Sequence, residues 1–441
     1  MTLAPCDSGK KYKKCCLVAE QRAAAAARLL STMSTPKERK ECATLERFGM
    51  TSPPEIGGQP GDYEDRCTQW FLEQSFFRDF VYRNPKPKKG KELADALVLF
   101  NDVALLVQVK TQCGNHEPLA WATEKLLEAH KQINETRQQL LAGVTKLTHE
   151  LYGSHPFDPA KHPSHIGLII LAQDRARPFD ATIQVPELLT SGFPIHVFSL
   201  RDFQMLAERC DTAADLVTYL EFRSEVMLRE KCFVHSEEAN IDHVIAYIPE
   251  FLERHMSPAA PAEFAKTVAA TVETISGRLL SSPEYRFGLA IDDIIARAHD
   301  IESTDEARRR KNLPVAEFLG WLSRIRRIIL GRRLIELCQN AQDGEAHYFP
   351  HIQEARGTGC VYLASSLDRP TRLKFLQTLV AYASVKYAVP RWLGVATEPI
   401  GPGSSYDFVL LHGPLPDEEV ERLKTLDDPF RANDPLIMLP E

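Results

Sequence analysis

The sequence predicts an α/β fold, in which a β-sheet flanked by helices is followed by a helical region and a small C-terminal α+β unit. Within residues 61–235, short apolar runs bounded by turn residues alternate with amphipathic segments. From about residue 240 to 345, apolar residues recur almost only at helical spacing. Strand-like runs return after Gly357. The chain has 441 residues, which is enough for about two or three domains.

Composition and turn residues divide the chain into five predicted segments. Pro, Gly, Ser and Thr cluster over residues 33–60, which is typical of a linker. The other boundaries follow the changes of periodicity. The segments are a cysteine motif with a helix (1–32), the linker (33–60), the sheet domain (61–235), the helical region (236–350) and the α+β unit with its tail (351–441).

The elements of the sheet domain follow from their periodicity. Apolar groups at helical spacing predict a helix over 62–77, and a short strand is expected within 77–85. Two apolar runs, 92–100 and 103–111, are split by the Asn101-Asp102 turn and predict a hairpin. Next come a long amphipathic helix (118–151), two strands (165–173 and 193–200) and a helix (211–228). In the C-terminal unit we expect strands at 359–366, 391–399 and 405–413, and a helix at 369–388.

Charge and hydropathy restrict the location and the partners. The formal net charge is -7, so any nucleic-acid contact has to come from local basic patches. The longest apolar runs, such as 166–172, are far shorter than the roughly 20 residues of a membrane helix. The N-terminus lacks the apolar core of a signal peptide. We therefore expect a cytoplasmic protein without a membrane partner, whose ten cysteines do not form a disulfide framework.

The predicted hairpin carries a polar trio in otherwise apolar strands. Asp95 is expected in the first strand, and Gln108 and Lys110 in the second. Residues two apart in a strand point to the same face, and the turn brings Asp95 alongside them. A carboxylate and an amide oxygen suit Mg²⁺, and an ammonium can stabilise charge that develops on a phosphate. A buried salt bridge between Asp95 and Lys110 is the alternative interpretation.

This arrangement resembles the PD-(D/E)XK nucleases, in particular the Mrr-like branch in which the third motif reads QxK. The resemblance covers roughly residues 61–225 and implies a restriction-endonuclease-like mixed sheet flanked by helices. It also implies catalytic roles for Asp95, Gln108 and Lys110, and for a glutamate on the preceding helix. Glu64 in Tyr63-Glu64-Asp65 matches that glutamate, and Glu73 is the second choice. The proline that precedes the aspartate in the family is absent, because Leu93-Ala94 stand there.

The activity that the resemblance implies is a Mg²⁺- or Mn²⁺-dependent endonuclease, with Asp95, Gln108 and Glu64 as metal ligands. DNA is favoured over RNA as substrate, and bacterial defence against phage or foreign DNA is the expected role. Since cutting both strands needs two sites, the resemblance also implies a homo-oligomer. The alternatives are an RNA-directed nuclease, an inactive nuclease fold and a non-catalytic adaptor that binds a protein or nucleic acid.

A basic loop leads into the predicted Asp95 strand. It contains five basic residues, namely Arg83, Lys86, Lys88, Lys89 and Lys91. We expect these side chains to contact phosphates at the mouth of the site, and a solvated turn is the alternative. A second basic stretch lies on the predicted helix around Arg324, Arg326, Arg327, Arg332 and Arg333. There we expect the arginines to remain in water, with nucleic-acid binding as the alternative.

The N-terminus carries a cysteine motif, APCDSGKKYKKCC over residues 4–16. Cys6, Cys15 and Cys16 supply three thiolates, and a tetrahedral Zn²⁺ needs four ligands. The stretch resembles the SEC-C motif found at the tail of the SecA translocase, although Ala4 replaces the first cysteine of the motif. The resemblance implies a structural zinc and a contact with a protein partner, a ribosome or nucleic acid. The fourth ligand stays open.

Overall fold

A computed structural model describes most of the chain from residue 61 onwards. The described residues are 61–86, 92–113, 117–143, 146–172, 188, 190–230, 237–255, 269–299, 306–341, 345–353, 357–399, 405–430 and 437–438. The fold is mixed α/β, with two five-stranded sheets and a two-stranded one in this part of the chain.

The N-terminal half is built on the first sheet. Its elements are α1 (Asp62–Phe76), a 3-10 helix (Arg78–Phe80), β1 (Val81–Arg83), β2 (Ala96–Phe100), β3 (Val103–Thr111), α2 (Pro118–Leu141), β4 (Lys146–His149), β5 (Gly153–Pro156), β6 (Ser164–Ala172), β7 (Ile195–Ser199), α3 (Leu200–Arg209) and α4 (Ala213–Glu230). The strand order is β1-β2-β3-β6-β7. The first three strands are antiparallel neighbours, and β3, β6 and β7 are parallel.

Helices cover both faces of this sheet, as the continuous apolar strands require. Val98, Leu105 and Val107 face the side where α1, α3 and α4 pack. Leu97, Leu99 and Leu106 face the opposite side and meet Trp121, Leu126 and Ile133 of α2. The predicted hairpin is confirmed, and Asn101 in its turn adopts a left-handed φ of 52°.

The predicted helix over 118–151 is confirmed as far as Leu141 and is wrong beyond it. α2 ends at Leu141, and Gly143 follows with a left-handed φ of 67°. The chain then forms the β4–β5 hairpin, in which β4 alternates exposed and buried side chains. Gly143 therefore ends the helix, and the side chains of β4 follow the two-residue period of a strand.

The C-terminal half contains α5 (Glu237–His255), α6 (Arg278–Ser281), α7 (Tyr285–His299), α8 (Glu306–Gly320), α9 (Arg324–Asn340), β8 (His347–Gln353), β9 (Thr358–Ala364), α10 (Arg369–Tyr387), β10 (Arg391–Thr397), β11 (Tyr406–His412), α11 (Asp417–Lys424) and β12 (Ile437–Met438). The sheet order is β11-β10-β9-β8-β12. Since β9 and β10 are parallel, α10 crosses between them and packs on one face. The predicted boundary at 350/351 falls inside β8.

The helical region packs against both sheets. One buried cluster contains Leu105 of the first sheet, Ile291 and Leu334 of the helices, and Tyr362 of the second sheet. This core therefore continues across the predicted boundaries at 235/236 and 350/351. None of the helices in the described ranges is long and apolar enough to span a bilayer.

The prediction that the arginines near 324–333 remain in water is wrong for two of them. Arg324 and Arg327 are each 1% exposed. Arg324 forms ion pairs with Asp211 at 2.8 Å and with Asp292 at 2.6 Å, and Arg327 pairs with Asp292 at 2.7 Å. These buried carboxylates satisfy the guanidinium groups where solvent would otherwise be required.

Candidate active site

Asp95, Gln108 and Lys110 come together at the end of the β2–β3 hairpin remote from its turn. The register pairs Ala96 with Val107, so Asp95 lies opposite Gln108. Strand alternation gives these three residues the same face as Leu97 and Leu106, which is the face covered by α2.

Asp95 is fixed by its backbone and by its carboxylate. It lies immediately before β2, not within the strand, yet its N–H donates to Val107 O at 3.1 Å. Its carbonyl accepts from the N–H of Asn84 at 3.1 Å. Its Oδ2 accepts from the N–H of Val109 at 2.6 Å. Burial raises the pKa of the Asp95 carboxyl, against the opposing effects of the Val109 N–H and the Lys110 charge.

A second carboxylate approaches from α1. Gln69 of this helix donates from Nε2 to the carbonyl of Asp95 at 3.0 Å and to Asn84 Oδ1 at 3.1 Å. Asp65 lies four residues earlier and therefore on the same side of the helix. Burial, and then the charge of Asp95, raises the pKa of Asp65 to about 7. The negative charge of Asp95 therefore acts on the Asp65 carboxyl.

The two glutamates predicted on this helix have other contacts. Glu64 Oε2 accepts from the Gly61 N–H at 3.0 Å, at the start of the helix. Glu73 is 2% exposed and accepts from Arg83 Nε at 2.8 Å. Burial raises the pKa of Glu73, and the Arg83 charge opposes this. The surroundings of Asp95 thus favour Asp65 over both glutamates as the helix carboxylate of the site.

Lys110 is bound by α2. Its Nζ donates to Gln132 Oε1 at 2.7 Å and lies 3.2 Å from Glu128 Oε1. Its side chain is 15% exposed. No ion pair joins Asp95 to Lys110 in the described structure, so the predicted alternative of a buried salt bridge between them is wrong.

Gln108 is 5% exposed, and we find no hydrogen-bond partner for its side chain among the described residues. Its amide is therefore available to a ligand as far as these residues are concerned.

Only part of the predicted basic loop is described. Arg83 is bound to Glu73 and lies 3.9 Å from Glu150, while Lys86 is exposed. Lys88, Lys89 and Lys91 lie outside the described residues. So do Cys6, Cys15 and Cys16, and zinc binding there stays a prediction.

Within the described ranges, no three His, Cys, Asp or Glu side chains are grouped so as to hold a metal ion. The candidate site combines two carboxylates, Asp65 and Asp95, with the amide of Gln108. Its third oxygen donor is therefore an amide and not a carboxylate.

Sequence reasoning missed Asp65, Gln69, Glu128 and Gln132. The spacing of four residues within each pair was visible in the sequence and marks one side of each helix. Which side meets the sheet depends on packing, and the sequence pattern alone did not resolve it.

In comparisons with known proteins, no family model, no curated protein and no solved structure matches this chain.

Proposed function

We propose that this protein is a metal-dependent endonuclease of the PD-(D/E)XK type that hydrolyses phosphodiester bonds of DNA. The observation that carries the proposal is the convergence of Asp95, Gln108 and Lys110 on one face, with Asp65 coupled to Asp95. The five-stranded mixed sheet with helices on both faces is consistent with a restriction-endonuclease-like fold.

The donor set fits Mg²⁺ or Mn²⁺. Mg²⁺ is usually bound by one or two carboxylates and keeps several waters. Asp65 and Asp95 would supply the carboxylates, and Gln108 a neutral oxygen. Burial, and then the charge of Asp95, raises the pKa of Asp65, and a cation between the two carboxylates would relieve their repulsion.

When bound, the cation would neutralise the phosphate and lower the pKa of a water molecule that attacks it. Lys110 would orient this water and stabilise the charge that develops on the phosphate oxygens. Glu128 and Gln132 hold its ammonium at 3.2 and 2.7 Å and so restrict its position. Asp95 is kept in place by the Val109 N–H.

The proposed substrate is DNA, on the strength of the resemblance to nucleases of this type. Lys86, three residues after β1, and Lys88, Lys89 and Lys91, which follow it in the sequence, would contact the phosphate backbone. Arg83 would contribute less, since Glu73 binds its guanidinium. A role in bacterial defence is proposed by analogy with the fold alone.

The test is a parallel cleavage assay with the full chain. Supercoiled plasmid, single-stranded DNA and RNA are each incubated with Mg²⁺, with Mn²⁺ or with EDTA. We expect DNA to be cut with either metal and not with EDTA. RNA should be cut more slowly or not at all.

Other outcomes would separate the alternatives. Cleavage of RNA alone would overturn the DNA assignment and keep the chemistry. Cleavage that persists in EDTA would overturn the proposed metal dependence. Silence on all substrates, with no nucleic-acid binding in a gel-shift assay, would overturn the nuclease and favour an adaptor.

A further inference from the structure

The second sheet ends in β11, a strand whose outer edge has no partner in the described part of the chain. β11 is the last strand in the order β11-β10-β9-β8-β12, and among the described residues only β10 is hydrogen-bonded to it. The strand runs over seven residues from Tyr406 to His412. An edge of this kind presents N–H and C=O groups that can pair with a further strand.

The register with β10 shows which backbone groups of β11 point outward. Gly413, just after β11, donates from its N–H to the Pro390 carbonyl at 2.9 Å, so these two residues form a hydrogen-bonded pair. Because hydrogen-bonded and non-hydrogen-bonded pairs alternate along an antiparallel ladder, every second residue of β11 bonds to β10. The residues whose N–H and C=O groups point away from β10 are therefore Tyr406, Phe408, Leu410 and His412.

β11 lacks the features that usually protect the edge of a sheet, such as Pro, Lys, a bulge or a very short strand. It contains neither Pro nor Lys, and its pairing with β10 is continuous over all seven residues. Its acidic residue, Asp407, is 4% exposed and pairs with Arg369 and Arg372. The other edges of the two five-stranded sheets differ. β1 and β12 have three and two residues, and the Val197 carbonyl of β7 accepts from Arg223 Nη2 at 3.1 Å.

Apolar side chains stand on both faces of this edge. Phe408 and Leu410 pack on the core that includes α7, and Val409 and Leu411 pack on the core beneath α10. All four are half-buried, so part of their apolar surface still meets solvent. A strand placed beside β11 would cover more of this surface and satisfy the outward backbone groups.

We propose that β11 pairs antiparallel with β11 of a second copy of the chain, so that two five-stranded sheets join into one of ten strands. The outward groups lie symmetrically about Val409. A two-fold axis at Val409 places Phe408 opposite the partner's Leu410 and Tyr406 opposite the partner's His412. Each of the four pairs exchanges two hydrogen bonds, which gives about eight in all. An isologous contact of this kind closes after two copies.

The charges of the strand permit this self-pairing. Val409 faces its own copy across the axis, and the carboxylate of Asp407 is already bound by two arginines. No two side chains of like charge therefore lie opposite each other in the proposed register. The pairing uses only the second sheet, so it does not rest on the proposed nuclease chemistry at the β2–β3 hairpin.

The first test is sedimentation equilibrium of the full chain over a range of concentrations. A seven-residue strand is a small interface, so we expect a reversible dimer with a Kd on the order of 10 µM. Val409→Lys places two ammonium groups opposite each other and should weaken the dimer at least about tenfold. Leu228→Lys, at a position on α4 that is 53% exposed, is the matched control and should dimerise as wild type. Melting of each variant verifies that it is folded.

The second test is cross-linking, which does not depend on weakening the interface. Residues opposite each other in a non-hydrogen-bonded pair have Cα atoms about 4.5 Å apart, within the range of a disulfide. Val409→Cys should therefore form a disulfide-linked dimer under mild oxidation. In the same register Leu411 faces the partner's Asp407, so the two copies of Leu411 lie about 13 Å apart. Leu411→Cys is the matched control and should cross-link no more than wild type, whose own cysteines set the background.

Three results would overturn the proposal. The first is that the full chain stays monomeric up to about thirty times the expected Kd, which would leave the edge to a strand of another protein. The second is that Val409→Lys dimerises as tightly as wild type, which would place the interface elsewhere. The third is that Val409→Cys cross-links no more than Leu411→Cys, which would contradict the register. None of these measurements involves a metal or nucleic acid, so their outcome is separate from that of the nuclease.

Discussion

At the residue scale, Asp65 and Glu64 are neighbouring carboxylates with different surroundings. This contrast decides which of them we expect to bind the metal. Asp65 shares the side of α1 that reaches Asp95 through Gln69. Glu64 turns back to the Gly61 N–H. Burial and the charge of Asp95 raise the pKa of Asp65 to about 7. A cation that binds Asp95 should therefore depend on Asp65 more than on Glu64.

This contrast gives a matched pair of variants. Asp65→Asn should weaken Mn²⁺ binding at least about tenfold, because it removes a charged ligand. Glu64→Gln should leave both Mn²⁺ binding and stability nearly unchanged, because the glutamine amide oxygen can still accept from the Gly61 N–H. Electron paramagnetic resonance of free Mn²⁺ measures both affinities without a substrate. If Glu64→Gln lost the metal and Asp65→Asn kept it, the helix ligand would be Glu64, as the sequence first indicated.

Because His149 is buried, we expect the folded protein to lose stability in acid. It is 2% exposed, its Nε2 donates to Arg78 O at 3.2 Å, and its Nδ1 accepts from the Leu151 N–H at 3.0 Å. A proton on Nδ1 would face that N–H, and burial lowers the pKa of His149 to about 4. The unfolded chain takes up the proton near pH 6.5. Stability from this residue is therefore present above pH 6.5 and lost as pH falls towards 4.

The measurement is the free energy of unfolding of wild type and His149→Gln between pH 7.5 and 4. The advantage of wild type over the variant should shrink on acidification by on the order of 3 kcal/mol. His412→Gln, at an exposed position that ends β11, is the control and should show no such trend. A constant difference between wild type and His149→Gln would contradict the assignment.

At the same scale, the sequence was sufficient to predict the position of side chains that strand alternation determines. Asp95, Gln108 and Lys110 share a face because alternation and the hairpin turn leave no other arrangement. Glu128 and Gln132 were not predicted, since their contact with Lys110 depends on how α2 is rotated over the sheet.

At the scale of elements, α7 and α9 cross at Gly331. A Cβ atom at this position would lie 1.9 Å from the carbonyl oxygen of Phe287. Gly331→Ala should therefore force the helices apart and lower the free energy of unfolding by about 3 kcal/mol, despite the higher helix propensity of alanine. Glu336→Ala, exposed on the same helix, is the control. Denaturant titration compares the two, and a stable Gly331→Ala variant would contradict this packing.

Element boundaries were the least predictable feature. The mixture of apolar and polar residues is similar in α2 and β4, so composition does not separate the two elements. Gly143 lies where the helix gives way to the strand. β8 was missed because Pro350 interrupts an already short apolar run, and its pairing with β9 is set by distant residues. Strands with long apolar runs, such as β6, were predicted correctly because burial on both faces selects such residues.

At the scale of the whole molecule, buried ion pairs connect the N-terminal and C-terminal halves of the chain. Asp211 lies between α3 and α4, Asp292 lies on α7, and both bind Arg324 of α9. Sequence patterns could not show this network, because it joins residues 32 to 113 positions apart whose charges would ordinarily be assigned to the surface.

Asp292→Asn should destabilise the protein by about 3–5 kcal/mol, because it leaves buried guanidinium charge without its partner. Asp293→Asn is the neighbouring control, since this side chain is 46% exposed, and it should cost much less. Circular dichroism and tryptophan fluorescence should report one coincident unfolding transition, because the core is continuous. Two separate transitions would contradict a shared core.

Plasmid nicking with Mg²⁺ is the most direct test of whether the face of the β2–β3 hairpin hydrolyses DNA, as we propose. Asp95→Asn keeps an oxygen that can accept from the Val109 N–H, so the hairpin should fold. Lys110→Ala removes only the ammonium and its stem, and Lys131→Ala, 78% exposed on α2, is the control. We predict that Asp95→Asn and Lys110→Ala each lose at least about 100-fold in rate while Lys131→Ala cuts as wild type. Wild-type rates in folded Asp95→Asn and Lys110→Ala would contradict the account.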